Sequence, residues 1–239
     1  MRLDCKILSP SELSQDDISK MFILMEKNYI GLTFESFCND LNQKDSIFLF
    51  YNNHTIYGFT GLKLLPFQFE EKEILIAYSG DTVLEESFRG SLSIPVNWGS
   101  YMLKLSENHP NLYWLLTSKG FRTYRYLSVF FKEFIPMPNQ SNESNEFLAR
   151  LRMQVAKKFF PNEYESKLGI LNRGENSQTI RNIVADQNAM NGSKDPFVQF
   201  FKQSNPEFDK GKELVCLAHF HFSNINQYIL RILINKSNV

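Results

Sequence analysis

Cysteine is scarce in this chain. Cys5, Cys38 and Cys216 are scattered through 239 residues. They are odd in number, form no C-x-x-C pair and have no Cys/His spacing suited to a metal. That excludes a disulfide scaffold or zinc module and reads as reduced thiols in a cytoplasmic setting. Net charge is missing too. The 26 Lys+Arg balance the 26 Asp+Glu, so no long-range field draws the chain to nucleic acid or an anionic membrane. No apolar run approaches the roughly 18–20 residues a membrane-spanning helix needs. Met1-Arg2-Leu3-Asp4-Cys5-Lys6 is charged and lacks an apolar h-region, so export by a standard signal is not expected. Tryptophan is rare, with 2 residues against 22 phenylalanines, so phenylalanine packing should dominate the interior.

What is present is an alternation of helical and strand patterns. Lys6–Leu8 suits a short strand. Ser14, Asp16 and Asp17 suit a helix start, since carboxylates favour the positive end of the helix dipole. Ile18, Met21, Phe22, Met25 and Tyr29 then recur at helical spacing. Thr33 caps a shorter helix bearing Phe34, Phe37 and Leu41. Ser46–Tyr51 and Thr55–Leu65 read as a hairpin turning at Asn52-Asn53, with Pro66 ending the second strand. Glu73–Leu84 reads as a third strand of the same sheet.

Residues 85–93 form a polar turn. A helix with Pro95 in its first turn runs to about Glu107. Leu112–Leu116 is a buried strand, parallel to Glu73–Leu84 because a helix crosses between them. Gly120 opens another helix bearing Tyr124, Leu127, Phe130, Phe131 and Phe134, which Pro136 and Pro138 stop. Residues 139–145 are a polar linker. Beyond it come a helix over Phe147–Phe160, an asparagine-rich stretch with a helix near Thr179–Ala189, a strand over Glu213–Phe222 and a closing helix over Ile225–Ile234. The last strand is expected at the sheet edge. The fold class is mixed α/β, with residues 1–138 as a first domain and 139–239 as an extension packed on it.

A turn between a strand and a helix N-terminus, beside a parallel neighbour, is a place for anionic groups. The element order over roughly residues 1–136 resembles the GNAT (GCN5-related N-acetyltransferase) superfamily. Leu84-Glu85-Glu86-Ser87-Phe88-Arg89-Gly90 matches its stretch of strand-end apolar residue, aromatic and Arg-Gly. The resemblance implies an N-acyltransferase. Val83, Leu84, Arg89, Gly90, Ser91, Leu92 and Ser93 would bind acetyl-CoA or another acyl-CoA, with backbone N–H groups of the turn on the pyrophosphate. Leu92 and Ile94 stand where family members carry glycine. Three consequences are open: a remodelled loop, a different thioester donor such as acyl carrier protein, or a catalytically silent fold used for binding or assembly.

The resemblance also implies a tyrosine near the departing thiolate, Tyr126 first and Tyr124 second, or both as packing residues. It implies a carboxylate base near the end of the strand, Asp81 or Glu85, or both as solvated acids. The expected partner is a small-molecule or peptide amine; a homodimer is compatible with the sequence. Lys119, Arg122 and Arg125 interleave with aromatics in K-G-F-R-T-Y-R-Y. They suit single-stranded nucleic acid, a nucleotide phosphate of coenzyme A, or a solvated helix face. His219 and His221 share one face of a strand without a third ligand nearby.

Overall fold

The structure is a computed structural model and describes residues 3–88, 91–139, 145–174 and 178–237. The elements along the chain are β1 (Asp4–Leu8), α1 (Gln15–Asn28), β2 (Tyr29–Ile30), α2 (Phe34–Leu41), β3 (Ser46–Asn52), β4 (Thr55–Phe69), β5 (Lys72–Leu84), α3 (Ser93–Asn108), β6 (Leu112–Ser118) and α4 (Phe121–Phe130). They continue as α5 (Glu146–Phe159), β7 (Tyr164–Glu165), β8 (Ile170–Leu171), β9 (Thr179–Ile180), α6 (Ile183–Asn191), α7 (Pro196–Ser204), β10 (Glu213–His219) and α8 (Gln227–Ser237).

Eight strands form one sheet in the order β1-β3-β4-β5-β6-β10-β8-β7. Every pairing is antiparallel except β5–β6, which is parallel. The sheet is of the mixed α/β class that the sequence implies. The period of the strands explains the layers. Ile47 and Leu49 pack with α1 and α2, while Phe48 and Phe50 face the opposite way, toward the cluster that includes α3. Farther along the sheet Ile76, Leu115 and Leu217 pack with Leu151 and Val155 of α5. Burying such a side chain contributes roughly 1.5–3 kcal/mol. One face therefore carries a single core built on α3, α4, α7 and α8, and the other carries two separate apolar clusters.

Several boundaries differ from the sequence expectation. Pro66 does not end β4, which runs on to Phe69. The β3 ladder stops at Leu62, so Pro66 lies on an edge stretch where a missing N–H removes no bond to β3. The hairpin turns at Asn53-His54, both with positive φ, the conformation a two-residue type I′ loop requires. α4 ends at Phe130; Phe131 and Ile135 instead make bridges to Ile225 and Leu217. β10 is not at the edge: β8 and β7 lie beyond it. α7 was not anticipated, although Asp195 caps it and Pro196 opens it.

Candidate functional site

The parallel ladder between β5 and β6 runs from Leu75–Leu112 to Ser79–Leu116 and stops there. β5 continues to Leu84 on its β4 side, while β6 continues to Ser118 on its β10 side. The two central strands therefore part after Ser79, and Gly80–Leu84 has an edge with no β6 partner. Val83 turns its side chain to the α1 and α2 cluster; Leu84 packs on the opposite face.

Asp81 sits where the strands part. Phe59 pairs with Val83 and Gly61 with Gly80, so Asp81 and Thr82 together oppose Thr60. This is a β-bulge, and it gives Asp81 a positive φ of 50°. A bulge re-aims side chains, and here it brings Asp81 to Lys44, whose Nζ lies 3.3 Å from Asp81 Oδ2 and 2.6 Å from Asp40 Oδ2. The Lys44 side chain is only 4% exposed. It crosses the sheet over two glycines. A Cβ on Gly61 would come 3.0 Å from Lys44 Cε, and one on Gly80 3.4 Å from Nζ. Burial, followed by the neighbouring Asp40, pushes Asp81 up to about 7, although Lys44 opposes the rise. Burial also works against Asp40, but the hydrogen bond from Asp81 and the Lys44 ammonium hold it below the ordinary carboxylate range. Burial would lower Lys44; Asp81 and Asp40 outweigh it and hold the ammonium above its usual value.

A second polar group adjoins the first. Lys44 Nζ lies 5.9 Å from the Tyr78 ring centroid, and the Tyr78 hydroxyl is 3.3 Å from Thr117 Oγ1. Burial pushes the Tyr78 phenol up to about 12. Glu213, at the start of β10, accepts from Arg173 Nε at 2.9 Å and faces Lys119 Nζ at 3.5 Å. Burial opposes its charge, but Lys119, Arg173 and Thr117 hold it at about 2. Asp40, Lys44, Asp81, Tyr78, Thr117, Lys119, Arg173 and Glu213 thus form a polar strip on the face where the core is split between the α1–α2 and α5 clusters.

The other face carries an apolar groove of about 190 Å³. Ser91, Leu92, Pro95 and Val96 form one wall, Tyr126, Val129 and Phe130 the second, and Ile229, Ile232 and Leu233 of α8 the third. The bend after β5 and Tyr126 therefore meet in one groove. Ser91 Oγ is buried there without a hydrogen-bond partner among the described residues. Leu92 is 52% exposed and takes the N-cap position of α3 without capping it; Ile94 points into the core. Ser93 is the first residue of α3. Arg89 and Gly90 lie outside the described residues. Burial raises Tyr126 above the ordinary tyrosine range.

Two predicted residues stand apart. Tyr124 is fully buried among Phe134, Phe200 and Phe201, and its hydroxyl donates to Pro136 O at 2.8 Å. Of the two roles left open for Tyr124, this geometry favours packing, because that proton is committed to the core. Glu85 lies just past β5 with its N–H donated to Tyr57 O, and its carboxylate joins neither group of the polar strip among the described residues. The basic segment is not a free surface either. Arg122 pairs with Asp186 at 3.0 Å, and Arg125 pairs with Asp195. His219 Nε2 contacts Pro110 O, and His221 Nδ1 contacts Ser223 Oγ. A roomier cleft of about 350 Å³, beside Tyr113 and His219, holds none of the residues expected to act in acyl transfer.

No protein-family model matches the sequence, and no curated protein is similar to it. Among solved structures it is similar to a conserved protein of unknown function from Enterococcus faecalis V583, described as a probable N-acyltransferase. That match has 14% identity and a TM-score of 0.41, over 55% of this chain and 33% of that one. It is similar to a GCN5-related N-acetyltransferase from Kribbella flavida, at 10% identity and 0.40, over 55% and 34%. It is also similar to a predicted acetyltransferase with acetyl-CoA from Clostridium acetobutylicum, at 12% identity and 0.40, over 59% and 97%. The match thus spans about a third of the first two proteins. Likenesses this distant add nothing to the strand order described above. No helix among the described residues is long and apolar enough to cross a membrane.

Proposed function

We propose that the chain is an N-acyltransferase that takes an acyl group from an acyl-CoA thioester and passes it to an amine. The observation that carries this reading is the parting of β5 and β6 after Ser79, with a carboxyl of raised pKa, Asp81, in the bulge at that point. A nucleophilic amine must shed a proton, and a base that titrates near neutrality is suited to take it. Asp81 meets that requirement through burial and its Asp40 neighbour.

The residues present suit a pantetheine thioester. The groove between α3 and α4 is almost wholly apolar, which suits a methylene-rich arm, and the unpartnered Ser91 Oγ offers a hydroxyl at its wall. The unladdered edge of Gly80–Leu84 leaves backbone groups that amides of such an arm could satisfy. Ser91, Leu92 and Ser93 would hold the phosphate end, where the dipole of α3 favours negative charge. When bound, the thioester supplies an activated acyl carbon. As the amine nitrogen bonds to the acyl carbon and the carbon–sulfur bond breaks, Asp81 Oδ would take the proton from the nitrogen, held in orientation by Lys44 and Asp40, and the Tyr126 hydroxyl would give its proton to the departing sulfur from the groove side. Tyr126 holds that proton through neutral pH because burial disfavours the phenolate.

The test is differential scanning fluorimetry with acetyl-CoA, longer acyl-CoAs and an acylated carrier protein, followed by thiol release with amine acceptors. A melting shift with an acyl-CoA that disappears in Leu92→Glu supports the reading, since a carboxylate at that exposed position repels phosphate. A shift with the acyl carrier protein alone would change the donor. No shift with any donor would overturn the enzyme and leave a silent fold used for binding.

A further inference from the structure

Arg173 is held as a fork with its prongs unused. Its Nε donates to Glu213 Oε1 at 2.9 Å, and its guanidinium lies 5.6 Å from the Phe160 ring centroid. Those two contacts fix the plane of the group. Its Nη atoms have no hydrogen-bond partner among the described residues, and the side chain is 30% exposed. Lys119, 18% exposed, is held beside it by the same carboxylate oxygen and by the Tyr29 ring at 5.5 Å. Glu213 itself is only 5% exposed. A buried acid that orients two cations and leaves their other N–H groups open is an arrangement for an incoming anion. A planar guanidinium with a free edge suits a carboxylate, which it can bond in two places.

The strip is continuous from Asp81 through Lys44, Tyr78 and Thr117 to Glu213 and Arg173. One small molecule bearing both groups could therefore engage the base at one end and the fork at the other.

We infer that the acceptor is an amino-carboxylate, such as a free amino acid, whose carboxylate is held by Arg173 and Lys119 while its amine faces Asp81. This rests on the acyl-transfer reading for the amine and not for the carboxylate, so the two can fail separately.

The experiment uses the full chain and paired probes, the second of each pair bearing no carboxylate: phenylalanine with phenethylamine, histidine with histamine and alanine with ethylamine. Thiol release from acetyl-CoA, longer acyl-CoAs and an acylated carrier protein is measured for each, and thermal protection is measured without any donor. Carboxylate-bearing α-amino acids are expected to exceed their decarboxylated partners in kcat/KM by roughly ten- to a hundredfold, the worth of hydrogen bonds to a charged group. Arg173→Lys keeps the charge but loses the fork, and the ratio should fall towards one. Arg173→Ala is read only if its unliganded melt shows a folded protein. Equal or better turnover of the decarboxylated amines overturns the inference and leaves the Asp81 chemistry standing. Protection by α-amino acids that is lost in Arg173→Lys, with no thiol release, upholds carboxylate recognition and overturns acyl transfer. Neither protection nor turnover overturns both.

Discussion

Lys44 reaches Asp81 across two strands that carry no side chain in its path, Gly61 on β4 and Gly80 on β5. The two charged atoms end 3.3 Å apart. Each strand gives up packing at its glycine, and what passes through the space is a buried ammonium that must have a counter-charge.

That arrangement makes a two-sided prediction about pH. Asp81 loses its proton near 7, so the rate of amine acylation should rise through that region. Asp40 is a second anion that resists the ionisation, whereas Lys44 assists it. Asp40→Asn should move the midpoint of kcat/KM to lower pH and Lys44→Met to higher pH. Tyr78 and Lys119 also face this group and stay in place in both variants. Asp81→Asn should lower the rate by roughly 10²- to 10⁴-fold at every pH. The same midpoints can be read without turnover from the carboxyl carbon of labelled Asp81 by NMR. Shifts in the same direction for both single variants would refute the coupling.

Gly61→Ala tests the path itself. Its Cβ would meet Lys44 Cε, Cγ and Cδ at 3.0–3.3 Å, and a flexible side chain can yield where backbone cannot. The fold should persist, since alanine suits a strand better than glycine by roughly 0.5–1 kcal/mol. Lys44 should be displaced from Asp81, so the pH midpoint should rise as it does for Lys44→Met. An unchanged midpoint would show that the ammonium reaches Asp81 by another route.

Glu213 gives a stability prediction with a definite sign. Its carboxyl titrates at about 2, below the ordinary 4.5, so the native state is stabilised above 4.5 and loses that contribution as pH falls towards 2. Glu213→Gln would leave Arg173 and Lys119 without their buried counter-charge, at a cost of roughly 3–5 kcal/mol at neutral pH. Urea denaturation at a series of pH values should show the wild type and variant converging in acid. A constant gap would mean that the loss comes from packing.

Much of the sheet could be read from local pattern. The Ser46–Asn52 hairpin strand, β5 and β6 each carry a continuous apolar signal between polar breaks, and a helix between β5 and β6 forces them parallel. Asp81 was legible only as an acid near a strand end; its bulge was not, because nothing in T-G-L or S-G-D-T announces which residue is extra. Lys44 was missed because it stands alone in the polar run Asn42-Gln43-Lys44-Asp45. The glycines inside β4 and β5 were the available hint, since a glycine in a strand often marks a close approach. Arg173 and Glu213 are brought together from 40 positions apart, a pairing that no local period encodes.

The groove side offers a final test through Gly99. A Cβ there would lie 2.9 Å from Leu233 Cδ2 and 3.0 Å from Phe130 Cε1. Phe130 and Leu233 are buried and line the groove from α4 and α8. Both atoms are side-chain tips that border the groove, so Gly99→Ala should drive them into it and cost roughly 1–3 kcal/mol. Leu233→Ala instead removes volume, at roughly 2–5 kcal/mol, and leaves α8 seated. If α8 serves as the third wall of a donor groove, both variants should weaken binding of acetyl-CoA by calorimetry, and the combination of the two should recover part of it, because the smaller residue 233 accepts the added methyl. Independent, additive losses would mean that α8 supports the core without shaping the groove.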